Sequence, residues 1–322
     1  MPAACHESCC ARKETAMSEM TPAMAACLEG QHNHFRWFHV EDVKGPALDE
    51  LAAAFGLHEL AVEDCRAAGT RAKLEDYESH LFLVVNTLHF DPQKNTCWFG
   101  EFDIFVGKDF VITVHVGPSR TAAAVLPRFK SDPKLGHPAR LLHALLHVIV
   151  GRYMPVLDTI EDRIDAIEDQ AYARPSPRLL TELFAVKRAL VEFRRVCTTM
   201  REVANLLLTR HEPWLRSHQA YFRDIYDHVV RSLDFVDTYR DILTGVLDVH
   251  LTATANRTNE IMKVLTIFAT IATPFLLITS FYGMNFERLP LLHDPFGALW
   301  ATLAMLGIGL LMLLFFKRRG WY

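Results

Sequence analysis

Two stretches near the end of this 322-residue chain lack charged residues altogether, one over 264–286 and the other over 295–316. About 20 apolar residues suffice to cross a bilayer as a helix, so both stretches predict membrane spans. The net charge of -4 and the 22% of charged residues therefore belong mainly to the residues before them. The sequence predicts a large water-soluble part followed by a small membrane part.

Other signals are also missing. The N-terminal region has no basic segment followed by an apolar core, so a cleavable signal is not expected. We find no phosphate-binding glycine loop and no nucleophile motif, and we expect neither an enzyme nor a nucleic-acid partner. Of the 7 cysteines, Cys5, Cys9 and Cys10 lie close together near the N-terminus, and the other four are scattered along the chain. Disulfides are not expected for this pattern in a cytoplasmic domain. CHESCC (5–10) could bind zinc or copper, although incidental thiols are the favoured interpretation.

The charges around the spans predict the membrane topology. Few charged residues lie between the spans, which therefore form a hairpin with both outer ends on one side of the membrane. Basic residues follow the second span and flank the first, so the positive-inside rule places both termini in the cytoplasm; these residues are Arg257, Lys263, Lys317, Arg318 and Arg319. We expect a multi-pass protein of the cell inner (plasma) membrane, with the lipid bilayer as its partner.

The water-soluble part predicts three segments. Residues 1–33 are rich in Ala, Met and Cys without periodicity and predict a flexible tail. Strand-like runs at 35–40, 81–90, 99–106 and 110–116 alternate with helical patches, so 34–135 is predicted as a cytoplasmic α/β domain. The signal over 136–218 is helical, with interruptions near 174–177 and 211–213.

The following segments predict one long helix and a hairpin. Apolar residues recur every three or four positions from Phe222 to Leu247. We predict a single stalk helix over 219–281, about 90 Å long, then an outer loop (282–294), a second span (295–316) and a basic cytoplasmic C-terminus (317–322). The fold class is an α+β membrane protein, with an N-terminal cytoplasmic α/β domain, long helices and two C-terminal transmembrane helices per protomer.

One face of the first span is polar. Asn259, Thr266, Thr273 and Ser280 recur every seven residues and share this face. Such hydroxyls can bond back to their own helix or hold helices together, but four in register favour a pore. Two spans cannot enclose a pore alone, so a pore requires a homo-oligomer with cyclic symmetry. The stripe has no carboxylate, which suits a hydrated magnesium ion.

The loop after this span begins with Gly283, Met284 and Asn285. A ring of Asn285 side chains would present carbonyl oxygens to the water molecules of an ion, and Gly283 would permit the bend into the loop. By itself, such a tripeptide also fits an ordinary helix cap.

These residues carry a family resemblance. YGMN (282–285), with MKVLTIFATIATPF before it and KRRGWY at the end, resembles the CorA family of divalent-metal transporters. GLHELAVED (56–64), RAKLEDYESHLFLVV (71–85), YFRDIYDH (221–228) and TNEIMKVLT (258–266) also resemble family segments, so the resemblance covers 35–322. It implies a homopentameric, funnel-shaped, channel-like transporter that moves Mg2+ inward, driven by the membrane potential, and often also passes Co2+ or Ni2+.

The resemblance also implies roles for single residues. Gly283, Met284 and Asn285 match the outer selectivity motif, with Glu287 in the same loop. The pore-lining positions correspond to Asn259, Met262, Leu265, Thr266, Thr273, Leu276 and Ser280. Thr273 departs from members that place a bulky Met there, which implies a wider or wetter constriction.

Regulation is implied in the cytoplasmic part. Glu63, Asp64 and Asp224 resemble acids that bind regulatory Mg2+ between subunits and hold the gate shut. Arg152 stands where some relatives have another acid, which puts a second regulatory ion in doubt. An acidic stretch of helix is either a solvated face or a partner for the basic ring of Lys317, Arg318 and Arg319; it comprises Asp158, Glu161, Asp162, Asp165, Glu168 and Asp169.

Two alternatives to magnesium uptake stay open. One is a zinc transporter of the same superfamily, although Met284 favours magnesium. The other is a membrane-anchored metal sensor that does not conduct, although an anchor needs no polar stripe. His143 and His147 lie one helical turn apart, but their Leu-rich context favours packing, and no Glu follows His143 to make a zinc-hydrolase motif.

Overall fold

The structure is a computed structural model that describes residues 20–67, 69–173, 177–210, 212–284 and 295–321. The chain divides into two compact units, Met1–Leu247 and Asp248–Tyr322. The first unit contains a sheet with helices on both faces, and the second contains two apolar helical segments.

The sheet of the first unit has six strands in the order β1-β2-β6-β5-β4-β3. The strands β2 and β6 pair in parallel, and the other neighbouring pairs are antiparallel. The strands are β1 (Leu28–His32), β2 (Phe35–Val40), β3 (Lys73–Tyr77), β4 (His80–Asp91), β5 (Thr96–Val106) and β6 (Phe110–Val114).

Each face of this sheet has its own hydrophobic core, because successive side chains of a strand point to opposite faces. On β4, Leu81 and Leu83 join one core, whereas Phe82 and Val84 join the other. The smaller core includes residues of α1 (Pro22–Ala26), α2 (Pro46–Phe55) and α3 (Glu59–Ala67). The larger core includes residues of α4 (Arg120–Ser131), α5 (Pro138–Val150), α6 (Tyr153–Ala173) and α7 (Pro177–Thr209).

The long helix predicted from the sequence is present. After the short α8 (Pro213–Arg216), helix α9 runs over Gln219–Tyr282 as one element of 64 residues. Its N-terminal part contributes to the larger core with the side chains that the periodicity predicts to be buried, among them Phe222, Ile225 and Val229. Gly245 does not interrupt the helix. Helix α10 (Gly297–Arg318) takes the place of the predicted second span.

Two sequence predictions are wrong. The predicted tail over 1–33 includes α1, which Thr21 caps by accepting a hydrogen bond from the amide of Met24, and β1, which pairs with β2. Residues 1–19 lie outside the described residues. The predicted division between an α/β domain (34–135) and a helical segment (136–218) does not separate two cores, because side chains of the sheet and of α5–α7 share the larger core.

Three helical stretches of the described residues are long and apolar enough to cross a membrane by length and composition. In the stretch Pro138–Ala171, half of the most apolar window (50%) is buried against the rest of the protein, so its apolar face already has a partner. The corresponding windows of Gln219–Tyr282 and Gly297–Arg318 are 0% and 11% buried. These last two are therefore the helices whose apolar surface needs lipid or another chain.

Candidate functional site

The polar stripe lies on the part of α9 that belongs to the second unit. Asn259, Thr266, Thr273 and Ser280 are all exposed in the single chain. The hydroxyls of Thr266 and Thr273 each donate a 2.7 Å hydrogen bond to the carbonyl four residues earlier, Met262 and Ala269 respectively. These bonds satisfy each donor within the helix, while the hydroxyl oxygens keep acceptor capacity.

Large apolar side chains accompany the stripe. Among the predicted pore-lining residues, Met262 is 54% exposed, Leu265 58% and Leu276 65%. All predicted pore-lining positions thus lie on surface that the single chain leaves open. Pro274 lies inside the helix next to Thr273. Because proline has no N–H, the carbonyl of Thr270 lacks the backbone hydrogen bond that it would otherwise accept from residue 274 in a regular helix.

The structure describes only the beginning of the outer loop. Helix α9 ends at Tyr282, and the amide of Gly283 donates to the carbonyl of Thr279 at 2.9 Å. A Cβ atom on Gly283 would lie 3.1 Å from that carbonyl oxygen, so glycine is the residue that fits this turn without displacement. Met284 is 49% exposed. Asn285, predicted for ion recognition, and Glu287 of the same outer loop lie outside the described residues.

Asp64, a predicted regulatory residue, is paired within its own chain. Its Oδ2 accepts a hydrogen bond of 2.5 Å from Lys73 Nζ, and the same ammonium reaches Glu75 Oε1 at 2.7 Å. Burial lowers the pKa of Lys73, but the bonds to the two carboxylates raise it more. Glu63, one residue earlier on α3, is exposed. A dication at Asp64 would therefore have to compete with a lysine.

Asp224, the third predicted regulatory acid, has histidine neighbours instead. Its Oδ2 lies 3.8 Å from His147 Nδ1, and its Oδ1 lies 3.6 Å from His228 Nε2. Among the described residues, the side chains close enough to Asp224 to share a metal ion with it are His143 and His147. Glu63 and Asp64 do not belong to this group. One chain alone thus does not assemble the three predicted regulatory acids into one site.

The sequence predicts that the two histidines of α5 are packed inside the protein. The structure differs from this prediction. His143 is partly buried, and its ring centroid lies 5.0 Å from that of Tyr221. Burial and the neighbouring His147 lower the pKa of His143 to about 4, so this imidazole is neutral at physiological pH. His147 is exposed. The packing prediction is therefore wrong for His147. The spacing of the two histidines on one helix face was a better indicator than their Leu-rich context.

Arg152 occupies the position where the resemblance leads one to look for another acid. Its guanidinium donates to the backbone carbonyl of Arg120 at 3.2 Å. This cation cannot serve as a metal ligand.

The acidic stretch lies on α6 opposite that helix's buried face. Leu157, Ile160 and Ile164 point into the larger core, whereas Asp158, Asp162 and Asp165 are exposed. Glu161 accepts a hydrogen bond of 2.9 Å from the hydroxyl of Tyr239. The basic residues Lys317 and Arg318 end α10, and Arg319 follows it with its guanidinium 5.6 Å from the ring centre of Phe315.

A mixed sheet covered by helices on both faces, one helix of 64 residues and two exposed apolar helical segments define a membrane protein of the α+β class. The model of the family described as CorA-like Mg2+ transporter protein matches residues 32–318. The chain belongs to this family, which confirms the resemblance stated from the sequence.

The sequences of individual relatives align with nearly the whole of this chain. The cobalt/magnesium transport protein CorA of Thermotoga maritima is 32% identical over 291 residues, which cover 88% of this chain and 83% of that protein. The protein of the same name from Methanocaldococcus jannaschii is 25% identical over 294 residues, which cover 88% and 90%. The complete structure of the CorA magnesium transporter from Methanocaldococcus jannaschii superposes on this chain with a TM-score of 0.77 at 23% sequence identity. The match covers 90% of this chain and 92% of that chain, and it confirms the fold.

Proposed function

We propose that this protein is a channel-like transporter that moves Mg2+ into the cell, driven by an inside-negative membrane potential, and that also accepts Co2+ or Ni2+. Family membership over residues 32–318 supports the transported ion class, as do the printed names of relatives as cobalt/magnesium transport proteins. The observation that carries the conduction mechanism is the exposed polar stripe of α9, since an anchor would need only apolar residues there.

The proposed pore is formed by copies of the same chain. Five copies of α9 surround the axis, and Asn259, Thr266, Thr273 and Ser280 face it together with Met262, Leu265 and Leu276. Because all of these side chains are exposed in one chain, neighbouring copies can close around them without rearranging either helix. Gly283, Met284 and Asn285 form the outer mouth, where amide and carbonyl oxygens bind an ion that keeps its water shell.

The proposed regulation uses Mg2+ bound between subunits. Carboxylate oxygens are the ligands that Mg2+ prefers, so Glu63 and Asp64 of one copy fit a dication shared with Asp224 of the next. The absence of a common cluster of these acids within one described chain is consistent with a site that needs two copies. Bound Mg2+ holds neighbouring subunits together and keeps the pore shut, which makes the transported ion its own inhibitor.

The test is Mg2+ entry into proteoliposomes that contain the purified protein, under an inside-negative potential and low internal Mg2+. We expect the unaltered protein to take up Mg2+ and Asn285→Ala to lose most of this uptake. The matched control is Asn205→Ala, since Asn205 is exposed on α7 far from the loop in sequence. Equal uptake by both variants would contradict the role of Asn285.

Competition identifies the ion class in the same vesicles. We expect excess Co2+ to reduce Mg2+ entry, because both ions would use the same outer mouth. Uptake of Zn2+ without Mg2+ would instead identify a zinc transporter. No flux of any dication through folded protein at low internal Mg2+ would favour a sensor that does not conduct.

A further inference from the structure

A second type of metal site is indicated by residues of α5 and α9 in the first unit. Helix α5 presents His143 and His147 four residues apart, and α9 presents Asp224 and His228 with the same spacing. Residues separated by four positions share a helix face, so each helix offers two ligands side by side. The packed helices bring both pairs together.

The distances are close to those of a coordination shell. One ligand atom from each of His143, His147 and Asp224 lies within 4.8 Å of the other two, and His147 Nδ1 is 3.8 Å from Asp224 Oδ2. Zinc–nitrogen and zinc–oxygen bonds of about 2.0–2.2 Å put neighbouring ligand atoms of a tetrahedral site roughly 3.4 Å apart. Small side-chain rotations therefore suffice to bring the three atoms to a metal.

The environment of His143 favours a ligand role. Its Nε2 is buried and has no hydrogen-bond partner among the described residues. The ring is held against the ring of Tyr221, with centroids 5.0 Å apart, so its orientation is restricted before any ion arrives. By contrast, His147 and Asp224 are exposed and can be reached from solvent.

The ligand types select the metal. Two imidazole nitrogens and one carboxylate suit zinc, cobalt or nickel, whereas magnesium prefers oxygen ligands and keeps much of its water. We propose that His143, His147 and Asp224 form a binding site within one chain for a dication of the zinc, cobalt or nickel class. His228, whose Nε2 lies 3.6 Å from Asp224 Oδ1, adds a fourth candidate ligand.

A regulatory consequence follows if the proposed function holds. Asp224 belongs both to this site and to the proposed magnesium site between subunits. A zinc-class ion on the two histidines occupies Asp224 within its own chain and withdraws it from Mg2+. The histidine site would thus alter how strongly internal Mg2+ closes the pore.

The test measures binding and needs no ion flux, so it is separate from the test of transport. Full-length protein in detergent is stripped of metal and dialysed against Zn2+ in the presence of a large excess of Mg2+. The thiols of the N-terminal cysteines could also bind zinc, so the measurement is made on the unaltered chain and on a chain with Cys5→Ser, Cys9→Ser and Cys10→Ser. In the serine background we expect one Zn2+ per chain that Mg2+ does not displace.

Substitutions then identify the ligands. We expect His147→Ala and Asp224→Asn each to weaken Zn2+ binding about ten-fold or more, and both positions are exposed, so the fold tolerates the change. His34→Asn is the matched control, because His34 is an exposed histidine outside the cluster. In the same samples, Co2+ should give the visible spectrum of nitrogen and oxygen ligation, without thiolate charge-transfer absorption.

Two results would overturn the proposal. One is the absence of stoichiometric Zn2+ binding in the serine background. The other is binding that His143→Asn and His147→Ala leave at the level of His34→Asn. A loss of flux in Asn285→Ala alongside either result would leave the transport proposal intact.

Discussion

Lys73 Nζ lies 2.5 Å from Asp64 Oδ2, and both side chains are about two-thirds buried, with exposures of 29% and 31%. Asp64 is also one of the acids proposed to bind regulatory Mg2+ between subunits. A bound ion and the lysine would neutralise the same carboxylate, so they compete for it. If Asp64 binds regulatory Mg2+ as proposed, the strength of this pair would set how much internal Mg2+ is needed for inhibition.

Lys73→Met should make transport more sensitive to internal Mg2+. A partly exposed ion pair contributes up to about 1 kcal/mol, which corresponds to roughly a five-fold change in a binding constant. The measurement is the internal Mg2+ concentration that halves uptake in proteoliposomes. Lys94→Met is the control, because Lys94 pairs with Asp91 at 3.9 Å on a different hairpin. An unchanged half-inhibition concentration in Lys73→Met would argue against Asp64 as a magnesium ligand.

Asp103→Asn should remove part of the pH dependence of stability. Burial, with a further contribution from Glu101, raises the pKa of Asp103 to about 8. Between the ordinary pKa of an aspartate and about 8, the folded state binds more protons than the unfolded state, so the free energy of unfolding falls as pH rises. Thermal unfolding in detergent should show the stability of the variant rising relative to that of the unaltered protein as pH increases from the ordinary aspartate range to about 8, and this difference should level off above 8.

Asp109→Asn serves as the comparison for this experiment, since Asp109 is exposed at the turn before β6. The pKa of His39 is lowered to about 4, mainly by burial, so this group destabilises the fold as pH falls below its ordinary value. Both variants keep His39, and its contribution cancels in the difference. Parallel curves for Asp103→Asn and the unaltered protein would show that this carboxyl is ionised in the fold.

Thr273→Met should reduce Mg2+ uptake several-fold. A larger apolar side chain on the polar stripe narrows and dries the proposed constriction, and apolar constrictions gate by excluding water. Initial rates of uptake at low internal Mg2+ measure the effect. Thr279→Met controls for the added volume, because Thr279 is off the stripe on the same helix. Equal rates for the two variants would mean that Thr273 does not face the ion path.

Gly309→Leu should destabilise the packing of the two membrane helices. Gly309 of α10 is buried, and a Cβ atom placed there would lie 3.1 Å from Cζ of Phe275 on α9. Small residues let membrane helices approach closely, and a leucine would force them apart. We expect a lower midpoint of thermal unfolding in detergent for this variant. Gly307→Leu, at a position with open space around its Cβ, should have little effect.

The sequence predicts the buried elements of the fold and misses its edges. The strands β2, β4, β5 and β6 read as runs of Val, Ile, Leu and Phe because they lie inside the sheet. The missed strands β1 and β3 are the two edge strands. Edge strands need less apolar surface and often carry charge, as in KLEDY of β3, so composition does not reveal them. Only their backbone pairing with a neighbour does.

Some features of the candidate sites could be predicted from the sequence, and others could not. The stripe of α9 could be found because helical periodicity places its members on one face, and all of them are exposed in the structure. The pairing of Asp64 with Lys73 could not be found, because it depends on how the fold places the end of α3 beside the first residue of β3. The approach of His143 and His147 to Asp224 joins residues about 80 positions apart in sequence, a distance over which periodicity carries no information.

The uninterrupted course of α9 restricts how the length of the chain can vary. Each residue of an α-helix advances the face by about 100°, so one inserted residue between Leu247 and Asn259 would turn every later side chain of the stripe away from its present direction. Seven inserted residues would restore that direction to within about 20°. Insertions and deletions in this helix are therefore expected in lengths that restore the face, such as about seven or eleven residues, while surface loops such as the hairpin between β4 and β5 can gain or lose single residues.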